Sequence, residues 1–176
     1  VAPLSGGDAV FVDACAMGTR AALEAGTSRD DVHTMAPIAL PFALRFFGTS
    51  HTHLWPTVNG YMNVGDAVTV PSDGVGGASA LPSTREPALI APFWQDLVLR
   101  PSPMSDLCVA SLGTSPNRRV VVQWSNAQAY MAENTFLDFE AIVHENSAID
   151  FLYRRLESTM GADPARTNGS LASVGL

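Results

Sequence analysis

The chain contains no lysine: all ten of its basic residues are arginine. No folding rule requires this, and it matches the codon bias of a GC-rich genome. Charged residues make up only 15% of the chain, against about a quarter in an average domain, which leaves little material for long charged helices. The balance is acidic, with a net charge of −7 and a pI near 4.8. Such a surface repels phosphate backbones, so nucleic acid is excluded as an expected partner. Blocks of basic residues that would hold an anionic membrane are missing. No apolar run approaches the roughly 20 residues that span a bilayer, so membrane insertion is not expected. No leader is legible from Val1, and the chain reads as a mature form or an excised domain.

Cysteine is scarce too. Cys15 and Cys108 are the two present, too far apart for a CxxC metal or redox motif. They read either as two buried thiols or as one disulfide. In a turn-rich β chain the disulfide is the expectation. Neither has the basic neighbour or helix N-terminus that would activate a thiolate. No glycine-rich phosphate loop and no G-x-S-x-G nucleophile elbow is found.

What is present is strand material punctuated by turns, with 14 glycines and 12 prolines in 176 residues. That length suits a single domain, 1–176, with residues 1–30 as a variable segment tied to it. PALIAPFWQDLVLR, from Pro87 to Arg100, reads as a buried central strand with one polar position, Asp96. In PFALRFFG, Phe42, Leu44 and Phe46 fall on one face at period two. Asn59-Gly60 is the strongest turn signal and predicts a hairpin into YMNV. Val10 to Cys15 predicts a strand, and Arg20 to Ala25 at most a helical turn. Residues 66–86 predict a long surface loop. LCVASL, RRVVVQW, FLDFEAIVHE, AIDFLYRRL and LASVGL predict further strands, with a connection over Ser125 to Thr135. In FLDFEAIVHE, Leu137, Phe139, Ala141 and Val143 are the expected core side. Asp138, Glu140 and His144 take the opposite side, where a solvated face is the simpler expectation. Nine or ten short strands without helical crossovers predict an all-β, antiparallel sandwich, jelly-roll-like, with little helix.

The sequence LPFALRFFG, VNGYM, IAPFW-x-DL, NRRVVVQW, E-x-x-x-IDF-x-Y and ASVGL, in that order, resembles the nidogen-like β-sandwich domains of bacterial surface and secreted proteins. The resemblance covers Leu40 to Leu176. It implies an extracellular, non-catalytic module that contacts protein or glycan in adhesion or matrix. It carries over no ligand residue. It gives Phe46, Trp94, Trp124 and Phe151 to the core and Asn59-Gly60 to a hairpin. It leaves Asp96 needing a partner, for which Arg118 or Arg119 is the candidate.

Other chemistry can be drawn on the residues. His51 and His53, at i and i+2, share a strand face and would need His33, His144 or Glu145 to complete a metal site. Asp66, Asp73 and Asp106 could contribute oxygens to calcium, the one cofactor considered. Asp66, Asp73 and Gly74 are the expected ligand-contacting residues of the long loop. Asp138 and Glu140, about 7 Å apart on one sheet face, could form a glycosidase pair. Because LASVGL can complete a neighbour's sheet, self-association into an extracellular polymer or coat is the alternative function.

Overall fold

A computed structural model describes residues 10–24, 29–65, 77–83, 88–101, 104–159 and 163–176. Two antiparallel sheets face each other across one core. The strands are β1 (Thr19–Arg20), β2 (Ile38–Phe46), β3 (Thr49–Pro56), β4 (Met62–Val64), β5 (Leu89–Trp94), β6 (Leu97–Val98), β7 (Asp106–Leu112), β8 (Arg119–Ala129), β9 (Ala132–His144), β10 (Ile149–Ser158) and β11 (Ser173–Gly175). One sheet has the order β1-β7-β8-β9-β10, with β6 also pairing β8. The other has the order β11-β5-β4-β3-β2. The sandwich is as expected. Its route is a meander in each layer rather than the Greek keys of a jelly roll. No helix among the described residues is long and apolar enough to cross a membrane.

Alternation builds the core. Along β2, Leu40, Phe42, Leu44 and Phe46 are buried while the residues between them are exposed. Along β9, Leu137, Phe139, Ala141 and Val143 point the same way. Phe139 stacks on Trp124 from β8 at 5.1 Å and meets Phe93 of the facing sheet at 5.4 Å. The Trp124 indole N–H donates across the layers to the Thr57 carbonyl at 2.8 Å. Phe151 packs half-buried against the same core. Trp94 is fully buried, but on the far face of β5 with Tyr61, Leu89 and Ala91. Its indole N–H has no hydrogen-bond partner among the described residues.

The expected single strand over Pro87 to Arg100 is two strands in different layers. β5 belongs to one sheet and β6 to the other, so the chain changes layer at Gln95-Asp96. A polar pair in an apolar run marks the corner because both layers end there. Asn59-Gly60 is fitted against this corner. The Leu97 amide donates to Asn59 Oδ1, and Asn59 Nδ2 donates to Asp31, both at 2.8 Å. The Gln95 amide donates to the Asn59 carbonyl at 3.2 Å and the Phe93 amide to that of Gly60 at 3.1 Å. The turn therefore closes its hairpin and also pins the crossover.

Three local expectations change. Val10 to Cys15 is not a strand: Asp13 caps a single helical turn, Ala14–Met17. No helical turn forms at Arg20, where β1 ends and Leu23 makes an isolated bridge to Thr34. Ser125 to Thr135 is no loose connection either, because β8 and β9 run on as one long hairpin with register shifts beyond Trp124. Asn126 at φ 53° and Met131 at φ 56° absorb the irregularity and the turn.

Gly60 and Gly48 separate strain from collision. Both have positive φ, +75° and +86°. A Cβ at Gly60 would sit 2.0 Å from the Phe93 carbonyl oxygen, whereas one at Gly48 would meet nothing within 4 Å. Gly48→Ala should cost about 1 kcal/mol, and Gly60→Ala roughly 3 kcal/mol or more. Urea midpoints at constant slope measure both; equal losses would remove the close approach from the account.

Candidate functional site

The outer face of the β7–β10 sheet brings several polar and titratable side chains together among the described residues. Register places Gln123 opposite Glu140, Val121 opposite Ile142 and Arg119 opposite His144. Alternation correctly puts Asp138, Glu140 and His144 on this side. The expected solvated face does not follow, since Glu140 and Gln123 are fully buried and Asp138 is 7% exposed.

The cover is the N-terminal strap, residues 10–17. Val12 and Ala14 pack with Cys108, Ala110, Val121 and Ile142 in a second apolar cluster. The Cys15–Cys108 disulfide fastens the strap to β7, with a Cα–Cα distance of 5.0 Å and a sequence separation of 93. In the chain-entropy view a loop of that length contributes about 4–5 kcal/mol. The strap also meets the polar groups beneath it. The Val12 amide donates to Glu140 Oε1 at 3.0 Å and the Cys15 amide to Gln123 Oε1 at 3.2 Å. Arg154 reaches Asp138 at 3.2 Å and Asp13 at 3.5 Å, and lies over the Phe11 ring at 4.5 Å.

Burial pushes the Glu140 carboxyl up to about 7, against the lowering effect of the Val12 N–H and of Arg154 and Arg119. Its Oε2 has no partner among the described residues. The Asp138 carboxylate, by contrast, accepts from Arg154, Gln123 and the Asn126 amide. A glycosidase pair must flank a bond in an open cleft. Here strap and sheet close over both acids, so the drawn pair is placed together but not presented to a sugar.

The remaining candidates separate. Asp96 does not pair with Arg118 or Arg119. Arg118 instead grips Glu145 through two nitrogens, at 2.5 and 2.9 Å, and holds that carboxyl down at about 2. Asp96 sits with Asp30 and Asp31, one carboxylate oxygen of each lying within 4.8 Å of the others. Burial first, and Asp31 second, raise the Asp30 and Asp96 carboxyls above the usual range. Sequence reasoning missed this group because its members lie 65 residues apart and meet only at the layer change. Its all-oxygen donors suit a hard cation, but three ligands fall short of the six to eight calcium takes.

Asp106, drawn as a calcium ligand, is instead paired with Arg20 at 2.7 Å and Arg29 at 3.0 Å. Asp66, Asp73 and Gly74 lie outside the described residues. His51 and His53 share a face of β3, but their would-be partners are committed elsewhere. His33 meets Glu24 at 3.1 Å, His144 meets Asp150 at 2.9 Å and Glu145 meets Arg118.

The strap's grip should depend on pH through Glu140. Its folded pKa lies above the ordinary value, so the folded protein holds a proton that the unfolded chain has released. Stability from this group is full below about 4.5 and is lost as pH rises through about 7, on the order of 3 kcal/mol in all. Glu140→Gln removes that dependence. The difference in urea stability between wild type and variant, measured from pH 4.5 to 8.5, should therefore move in the variant's favour. A constant difference would place Glu140 in water.

A family model described as NIDO related matches residues 9–176. No curated protein and no solved structure matches the chain. The match begins ahead of the strap and runs through β11, so the disulfide-fastened cover falls inside the family's span and is not an appendage to it. The chain belongs to the nidogen-related family.

Proposed function

We propose that this chain is a non-catalytic extracellular module that binds a protein or a glycan at the bacterial cell surface or in its matrix. Family membership carries the reading. The Cys15–Cys108 disulfide supports it, because such bonds persist in oxidising compartments. So does the closure of Asp138 and Glu140 beneath the strap, which leaves the drawn acid pair without access to substrate. The contact surface we assign is the segment 66–86, of which 66–76 and 84–86 lie outside the described residues, since rigid sandwiches present function on their connecting segments. Replacing that loop by a short turn should abolish binding to intact cells or immobilised glycans and leave the melting temperature within a few degrees. Unchanged binding would remove the loop from the account.

A structural role in a polymer or coat is the second reading, and β11 favours it. This strand pairs only with β5 among the described residues, as the end of its sheet. Val174 within it and Leu171 and Leu176 on either side are each about half exposed. An apolar edge of this kind is a template for strand addition. Light scattering from micromolar to millimolar protein distinguishes the readings. A constant monomer mass supports the binding module, and a mass that grows with concentration supports the assembly.

A further inference from the structure

Little besides the disulfide holds the strap down. Its buried apolar side chains are Val12 and Ala14, whereas Val10 and Met17 are 75% and 64% exposed. Its main-chain amides make two hydrogen bonds to the sheet among the described residues, from Val12 to Glu140 Oε1 and from Cys15 to Gln123 Oε1. At its margin Asp13 and Phe11 meet Arg154. Ordering eight residues of chain costs more than two small apolar side chains and two hydrogen bonds contribute. The cross-link therefore decides whether residues 10–17 stay in place. Cys108 is fully buried and Cys15 is partly exposed, so Cys15 Sγ is the sulfur that a reagent can reach.

Glu140 couples the strap's position to a proton. Its carboxyl is fully buried, with Oε1 on the Val12 N–H and Oε2 enclosed without a partner among the described residues. An enclosure of that kind favours the protonated acid. The groups around it are Asp13 on the strap, Arg119 and Gln123 on β8, Leu152 and Arg154 on β10, and Asp138 on its own strand. The helical turn Ala14–Met17 brings no charge, and β7 contributes the uncharged Cys108 and Ala110 to the strap's apolar cluster. Burial is the largest influence on Glu140 and Asp13 adds to it, while the Val12 N–H, Arg154 and Arg119 oppose both. Lifting the strap withdraws Asp13 and Val12 and admits water to both oxygens. The open form then carries an ordinary glutamate, ionised above about 4.5.

We infer that the strap is a proton-coupled redox latch: reduction of Cys15–Cys108 by a dithiol releases residues 10–17 from the sheet, and the Glu140 proton leaves with them. A thiolate of the dithiol first bonds to Cys15 Sγ, and the S–S bond breaks with its electron pair on Cys108, which takes up a proton. The reagent's second thiolate then closes on its own sulfur and frees Cys15, which is protonated in turn. The dithiol is oxidised to a cyclic disulfide, the protein disulfide is reduced to two thiols, and one proton passes from Glu140 to solvent. Opening is therefore favoured progressively as pH rises from about 4.5 to about 7, and levels off above that. It uncovers Ala110, Val121 and Ile142, apolar surface that the closed form hides. The latch does not depend on what the segment 66–86 contacts.

The test is carboxyl-selective carbon NMR of the oxidised protein and of the protein reduced with excess dithiothreitol, with the reduction equilibrium measured beside it. Glu140 should titrate at about 7 in the oxidised form and near the ordinary 4.5 in the reduced form, while the β8–β9 amides keep their shifts. The equilibrium constant for reduction by dithiothreitol should rise roughly 40-fold between pH 5 and pH 7 in the wild type, and less than about twofold in Glu140→Gln. A Glu140 titration that reduction leaves unchanged would overturn the latch. So would a wild-type equilibrium that is flat with pH, or a Glu140→Gln profile as steep as the wild type's, which would assign the proton to another group. Loss of the β8–β9 signals on reduction would also overturn it, because the disulfide would then support the whole fold and not the strap alone.

Discussion

A two-layer sandwich needs one buried face per sheet, yet here the β7–β10 sheet buries both of its faces. Gln123 and Glu140 are fully enclosed on the side away from the core. Each buried polar group left without a partner costs about 1–3 kcal/mol, so this row of side chains requires a third layer that brings donors with it. The strap supplies them as main-chain amides, from Val12 and Cys15. The disulfide ties that layer to β7, and Arg154 ties it to β9 through Asp138. These fastenings converge on eight residues of chain, all of them over the same polar row.

The same cover limits what the protein can do. Acids that could have worked as a pair on an open sheet are sealed, and one of them is held near neutrality by burial. Among the described residues, what stays exposed lies at the margins, with apolar surface along the β11 edge and around the strap's end. Exposed apolar surface of this kind suits contact with a partner, in keeping with the binding module proposed above.

Legibility in the sequence followed locality. Period-two patterns in PFALRFF and FLDFEAIVHE assign inward faces correctly because alternation is a property of the strand itself. Asn59-Gly60 reads as a turn for a local reason, the positive φ at Gly60. Its second role, pinning the Gln95-Asp96 corner, depends on residues more than 30 positions away and leaves no local trace. The surroundings of Asp96 are illegible for the same cause: Arg118 is taken by Glu145, and Asp96 meets Asp30 and Asp31 from a distant part of the chain. The strap shows the limit most plainly. VFVDAC has strand composition, but its apolar residues serve as a lid on another sheet's outer face, and only Cys15 hints at that attachment.

The most direct test of the strap as a third layer is native-state hydrogen exchange on the oxidised protein. Amides hydrogen-bonded to buried acceptors exchange only on opening. The Val12 and Cys15 amides should show protection comparable with the β8–β9 ladder, and both should lose it when the disulfide is reduced under conditions that keep the ladder protected. Exchange of these two amides at unfolded-chain rates in the oxidised protein would contradict the account, because Glu140 and Gln123 would then face water and the sandwich would have only two layers.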